Sequence, residues 1–229
     1  FSKIATTDDL RKTRSICGRI LLNLSDALAY SNGTYFHKGL KWQYDDLRSM
    51  ASVPEGFLAQ YDACIEAINV SELKSAVQSM LALCRSHLDP ESAASEQDVR
   101  PVMPVIAKTP FDTAEIATAT DQTAVDYEAL VSFYEEALST FNKIYHYCST
   151  NSKDHRMAFI SAINLQHVLD EEVQALDLDI LTSYNYRDLQ VLAACVKSAE
   201  AKLVSYISEG AVIKRYADFD EFSSSDASS

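Results

Sequence analysis

The hydrophobic pattern is helical over most of the chain. Leu10, Cys17, Leu21, Leu24 and Leu28 recur at spacings of three, four and seven, which lays one apolar stripe on a helix predicted over 8–30. Thr7 is its expected N-cap, with Asp8 and Asp9 in the first turn, where the helix dipole favours acids. Ser31-Asn-Gly33 supplies the stop, because Asn and Gly readily take the left-handed C-cap conformation. Phe36, Leu40, Tyr44 and Leu47 predict a second helix over 35–50. Pro54 is placed in the first turn of a third, with Phe57, Tyr61, Ile65 and Ile68 inward. Ser71 is the expected cap of a fourth, which turns Leu73, Val77, Leu81 and Cys84 inward and ends near His87.

The pattern then breaks. Four of the five prolines fall at Pro90, Pro101, Pro104 and Pro110, and a loop of that length is unusual inside a compact domain. The stretch reads as a linker or extended strap, with Val102, Met103, Val105 and Ile106 available to pack on a neighbouring surface. Three longer helices follow, over 124–148, 155–176 and 187–209. They carry Tyr127, Leu130, Tyr134, Leu138, Phe141 and Tyr145, then Phe159, Ile163, Val168 and Val173, then Leu189, Leu192, Val196, Leu203 and Ile207. Short turns join them, as in an antiparallel bundle. The expected organisation is an N-terminal helical bundle 1–88, a linker or strap 89–121, a three-helix segment 122–210 and an acidic, Ser-rich tail 211–229. With only five Gly in 229 residues, the fold class is all-α: two antiparallel bundles, or one larger bundle, joined by a Pro-containing linker.

Composition sharpens this. The net charge of −13 repels a phosphate backbone, so nucleic acid is not an expected partner. It suits a protein that must stay dissolved, or one with a cationic ligand or partner. Five cysteines at wide spacing, Cys17, Cys64, Cys84, Cys148 and Cys195, form no metal-type pair and read as small buried thiols in a reducing compartment. No apolar run approaches the ~20 residues needed to span a bilayer, so no membrane association is expected and the chain reads as cytoplasmic. The first residue is Phe1 and not Met, which leaves a fragment or a processed product open; a fragment would leave room for an amino-terminal partner domain.

Chemistry is sparse. No P-loop, no Gly-x-Gly-x-x-Gly and no Gly-x-Ser-x-Gly occurs, and the five histidines form no close pair. Asp177-Leu-Asp179 and Asp218-Phe-Asp220 are Asp-x-Asp pairs, read as a helix end and a solvated tail. His167 and Glu171 at i, i+4 fit a surface pair as well as a metal site, and no metal site is expected. The cluster of Tyr30, Tyr35, Phe36, Trp42 and Tyr44 with Lys38 and Lys41 has two readings. Either it stacks a base or holds a phosphate, or the aromatics join two helices while the lysines stay in water. Tyr145, Tyr147, Tyr184 and Tyr186 likewise either line a pocket or seal the bundle with hydroxyls outward.

Over 22–68 the motifs Asn32-Gly-Thr-Tyr-Phe36, Lys38-Gly-Leu-Lys-Trp42 and Pro54-Glu-Gly-Phe57 resemble the helical region that follows the catalytic domain in a group of bacterial nucleotidyltransferases. Tyr145-His-Tyr-Cys148 and Leu165-Gln-His-Val-Leu-Asp-Glu171 are similar in layout. The resemblance implies a domain that shapes the acceptor side of a cleft and often mediates dimerisation. It would use Tyr35, Phe36, Lys38, Lys41 and Trp42 toward nucleotide or acceptor, with Asp45 or Asp46 as the carboxylate that orients a substrate hydroxyl. The nucleotidyltransferase core, Gly-Ser followed by Asp-x-Asp, is absent, since no Gly-Ser dipeptide occurs. The chain is therefore expected to carry no cofactor of its own. Mg and nucleotide would enter only with an N-terminal nucleotidyltransferase domain supplied elsewhere. The alternative is a non-catalytic helical interaction module, acting as a homodimer or with a protein partner. One group of helical partners of such enzymes, the HEPN ribonucleases, pairs an Arg and a His four to six residues apart on one helix, a spacing absent here.

Overall fold

A computed structural model describes residues 7–37, 40–90, 125–149 and 154–213. It is all-helical, with seven α-helices and no strand among the described residues. They are α1 (Leu10–Ser31), α2 (Gln43–Ser49), α3 (Phe57–Glu66), α4 (Val70–Leu88), α5 (Tyr127–Cys148), α6 (His155–Glu172) and α7 (Leu189–Ile207). Short 3-10 turns precede α2 (Leu40–Trp42) and follow α6 (Gln174–Leu176). Most of the Pro-rich strap, its Val102, Met103, Val105 and Ile106 included, lies outside the described residues, as does the tail beyond 213. No described helix is long and apolar enough to cross a membrane.

Five of the seven helix starts share one device. Asp9, Asn69, Asp126, Asp154 and Asp188 each use a side-chain oxygen to accept a backbone N–H of the first turn. Such caps satisfy donors that a helix start leaves open and place negative charge at the positive end of the dipole. Part of the acidity of the chain is therefore structural. Two expected caps are corrected: Asp9, not Thr7, caps α1, and Asn69, not Ser71, caps α4. In both cases the carboxylate or amide two residues away reaches the open N–H.

Three further expectations change. The helix predicted over 35–50 begins only with the 3-10 turn at Leu40. The α1 stop is a full Schellman motif, which leaves Tyr35 and Phe36 outside any helix. There Gly33 N–H bonds Tyr30 O at 2.9 Å, Thr34 N–H bonds Ala29 O at 3.0 Å, and Gly33 sits at φ +68°. Helix α3 starts at Phe57 and not at Pro54. Gly56 at φ +84° closes a turn in which Phe57 N–H bonds Pro54 O at 3.0 Å, a left-handed position that glycine fills without strain. Ile68 and Leu138, expected inward, are exposed, because α3 ends at Glu66 and Leu138 lies on the outer side of α5.

Helix α4 packs between α1 and α3, α1 meets α6, α6 pairs with α5, and α7 lies on α5. One continuous apolar core runs from Cys17 and Phe57 through Ile163 to Leu203 and Ile207. The irregular stretch after α6 buries Leu178, Ile180 and Leu181, so its backbone needs partners inside the protein. Gln166, fully buried, supplies them: its amide donates to Leu178 O at 2.7 Å and accepts from Ile180 N at 2.9 Å. Arg14, also buried, donates to Leu181 O at 2.6 Å and Thr182 O at 3.2 Å.

Candidate functional site

The end of α1 builds a rigid platform. The Asn32 side chain donates to Leu28 O at 2.8 Å and to Ser52 O at 2.7 Å, and accepts from Ser52 N at 2.8 Å. Ser52 Oγ lies 2.9 Å from His87 Nε2. Asn32 is thereby fastened to the loop before α3, and that loop to the last turn of α4.

Beyond this platform Tyr35 is 60% exposed, and Trp42, at the start of α2, is 45% exposed. The Tyr35 and His37 rings lie 3.8 Å apart, and Lys41 Nζ stands 5.9 Å from the Trp42 ring. A cavity of about 340 Å³ opens between Tyr35, His37, Thr34, Asp46 and Ser49. The expected site residues therefore divide. Tyr35 and Asp46 share the cavity, while Trp42 and Lys41 form an exposed pair at the start of α2. Phe36 is half-buried and packs against the core, and Lys38 lies outside the described residues. Asp45 is exposed, 3.6 Å from Arg48. His37 was not singled out by the sequence reading. The available signal was its i, i+2 relation to Tyr35 in non-helical backbone, which puts both rings on one side.

Beneath α2 lies a network that the sequence did not signal. Tyr44 donates to Asp62 Oδ2 at 2.7 Å, and Arg156 grips the same carboxylate through Nε at 2.7 Å and Nη2 at 3.1 Å. The Arg156 guanidinium also stands 4.0 Å from the centre of the Tyr44 ring. Burial works against ionisation of Asp62, but the hydrogen bonds from Arg156 and Tyr44 outweigh it and hold the carboxyl below the ordinary carboxylate range. The network ties α2, α3 and α6 together and fixes the helix that follows the aromatic turn. Because the folded carboxyl is the stronger acid, its contribution is complete at neutral pH and fades as pH falls below about 4 toward the lower folded value. Asp62→Asn should cost about 1–2 kcal/mol at pH 7, a figure already discounted for partial exposure. In urea melts its deficit against the parent chain should shrink on acidification.

The remaining candidates have structural duties. Burial pushes the Cys17 thiol up to about 12, against a smaller opposing effect of Lys74. It pushes Cys84 and Cys148 up to about 11, and it raises Cys64 as well. These four thiols stay protonated at neutral pH and make poor nucleophiles. Asp177 pairs with Arg11 at 2.7 Å, and Asp179 accepts from Thr182 N at 3.0 Å. Asp218 and Asp220 lie outside the described residues. His167 and Glu171 are 3.4 Å apart on the surface. Among the described residues no three His, Cys, Asp or Glu side chains converge as metal ligands. In the second aromatic set, Tyr145 donates to Glu200 at 2.6 Å and Tyr184 to His155 O at 3.2 Å. Those two hydroxyls point inward, a correction to the outward-facing seal.

Comparison with known protein families, with curated proteins and with solved structures finds no match for this chain.

Proposed function

We propose that the chain is the acceptor-side helical module of a nucleotidyltransferase-like protein, with the aromatic turn as its recognition surface. The observation that carries this reading is the exposed Tyr35 ring on the cavity it shares with His37 and Asp46, just beyond the turn that the Asn32 and Ser52 bonds hold. Exposed rings on a fixed backbone offer a stacking face at little entropic cost. Asp46 and His37 in the adjoining cavity supply a carboxylate and an imidazole for a hydroxyl-bearing acceptor. Phosphates and Mg would be held by a catalytic domain supplied elsewhere. The chain's own part is to stack, orient and shield.

Trp42 is the only tryptophan, so its emission reports on this surface alone. Titration with each of the four common nucleoside triphosphates, with Mg, should quench it saturably. Tyr35→Ala should weaken that binding by about tenfold, in line with one lost stacking contact. Because Tyr35 is largely exposed, the variant should keep its helical circular dichroism. Emission that ignores all four nucleotides at millimolar concentration would remove nucleotide from this reading.

A further inference from the structure

A second surface lies at the other end of α1, about 30 Å away along a helix of 22 residues at 1.5 Å each. Two clefts meet there across the 3-10 turn after α6. One, of about 640 Å³, opens between the first turns of α1 and the end of α6. The other, of about 370 Å³, opens between the end of α6 and the start of α5. Val173 and Gln174 line both, so the two clefts adjoin and are treated together as one groove.

The floor is apolar: Ile16, Leu169, Val173 and Leu178 on one side, Leu130 and Leu176 on the other. The rim is acidic. Asp126, Asp170, Glu171, Glu172 and Asp177 face it, against only Arg11 and Lys12. Arg11 is already held by Asp170 and Asp177. The larger cleft is thus balanced in charge, and the surplus of acid lies in the smaller one, where Asp126, Glu171 and Glu172 stand over Leu130, Val173 and Leu176 with no Lys or Arg in the lining. The carboxyl end of α6 adds negative potential there, and Asp126 caps the opposing amino end of α5.

We infer that this groove docks a basic amphipathic segment of a partner protein, its apolar side on the floor and its Lys and Arg side chains on the rim. Charge complementarity selects that occupant. A second copy of this chain would bring a strongly acidic surface of its own to an acidic rim, and like charges across an interface are costly. A purely apolar partner would desolvate Glu171 and Glu172 without bringing a cation to offset the cost. The inference is independent of the aromatic turn, and its test uses different residues and a different probe.

The test is fluorescence anisotropy of a labelled leucine–lysine peptide, with leucines at i, i+3, i+4 and i+7, titrated with the full chain. Saturable one-to-one binding is expected, weakening as salt is raised. Glu171→Lys combined with Glu172→Lys should weaken it by about tenfold or more, because repulsion replaces attraction at the rim. Both residues are exposed, so the variant should fold, which circular dichroism checks. Leu176→Ser, at the edge of the floor, should weaken binding with no change in the charge of the rim. Four outcomes overturn the proposal. The peptide does not bind saturably; a scrambled peptide of equal charge binds as well; the reversed rim binds as tightly as the native one; or the chain self-associates in sedimentation and the reversal abolishes that, which gives the groove to a second copy.

Discussion

Gly18→Ala should unfold up to about 2 kcal/mol more easily than the parent chain, although alanine is the better helix former. Gly18 is buried in the interior of α1, where it faces α6. A Cβ there would come within 1.8 Å of Ile163 Cδ1, 3.0 Å of Cγ1 and 3.3 Å of Cγ2. The Cδ1 atom can swing away. The two Cγ atoms move much less freely, because a β-branched residue inside a helix has one strongly preferred χ1. Helix propensity favours alanine by about 1 kcal/mol and overpacking a buried contact costs about 1–3 kcal/mol, which leaves a net cost of up to about 2 kcal/mol. Ile163→Val removes Cδ1 and costs about 0.5–1.5 kcal/mol on the parent background. On the Gly18→Ala background the same change removes the nearest of the three contacts, so it should cost less there than on the parent background. Guanidinium melts of the four proteins give the coupling energy directly. Simple additivity would mean that the two positions do not press on each other.

That contact shows what the sequence could and could not reveal. Cys17, Leu21 and Leu28 are fully buried, as their spacing implied, and so are Leu73, Val77, Phe141, Leu192 and Leu203 within a few per cent. Periodicity finds such positions because water sorts them on every helix alike. Arg14, Gln43 and Gln166 fall at the same spacing, yet their polar side chains argue outward, and all three are buried. The reasons lie far off in sequence: the partners of Arg14 are 53, 167 and 168 residues away. The aromatic spacing of Phe36, Leu40, Tyr44 and Leu47 imitates a helix, but the Schellman stop at Gly33 sends 34–36 out in non-helical backbone. At the candidate site the aromatic composition was legible, while its division was not. Which ring turns to the core, Phe36, and which face water, Tyr35 and Trp42, depends on where α2 rests on α3 and α6. The Tyr44–Asp62–Arg156 network sets that position, and its members lie up to 94 residues apart.

Arg14→Ala should be the more damaging of the two core changes, at about 3–5 kcal/mol. The guanidinium donates to Leu181 O, Thr182 O and Ala67 O, and its carbon stands 5.5 Å from the Tyr184 ring centre. Ala67 is the C-cap of α3, so the cation meets the carbonyl end of that helix while it ties α1 to the stretch after α6. Alanine would leave a cavity and strip a donor from three carbonyls at once. Arg14→Met separates these effects. It refills the space and abolishes a desolvated charge, whose burial itself lowers the affinity of Arg14 for its proton, against smaller opposing effects of Tyr184 and Asp179. Its cost should fall to about 1–3 kcal/mol, the range for buried acceptors left unmet. Arg14→Lys tests the charge differently. One ammonium cannot span carbonyls on two segments, and burial depresses the proton affinity of a lysine below its unfolded value. The unfolded chain then binds more protons than the folded one, so this variant should gain stability as pH rises from neutral toward about 10. Arginine keeps its proton throughout that interval, and the parent chain should show no such gain from this position. Urea melts at two pH values decide the matter: a variant whose deficit is the same at both would mean that the side chain at position 14 escapes to water and does not bridge the two segments.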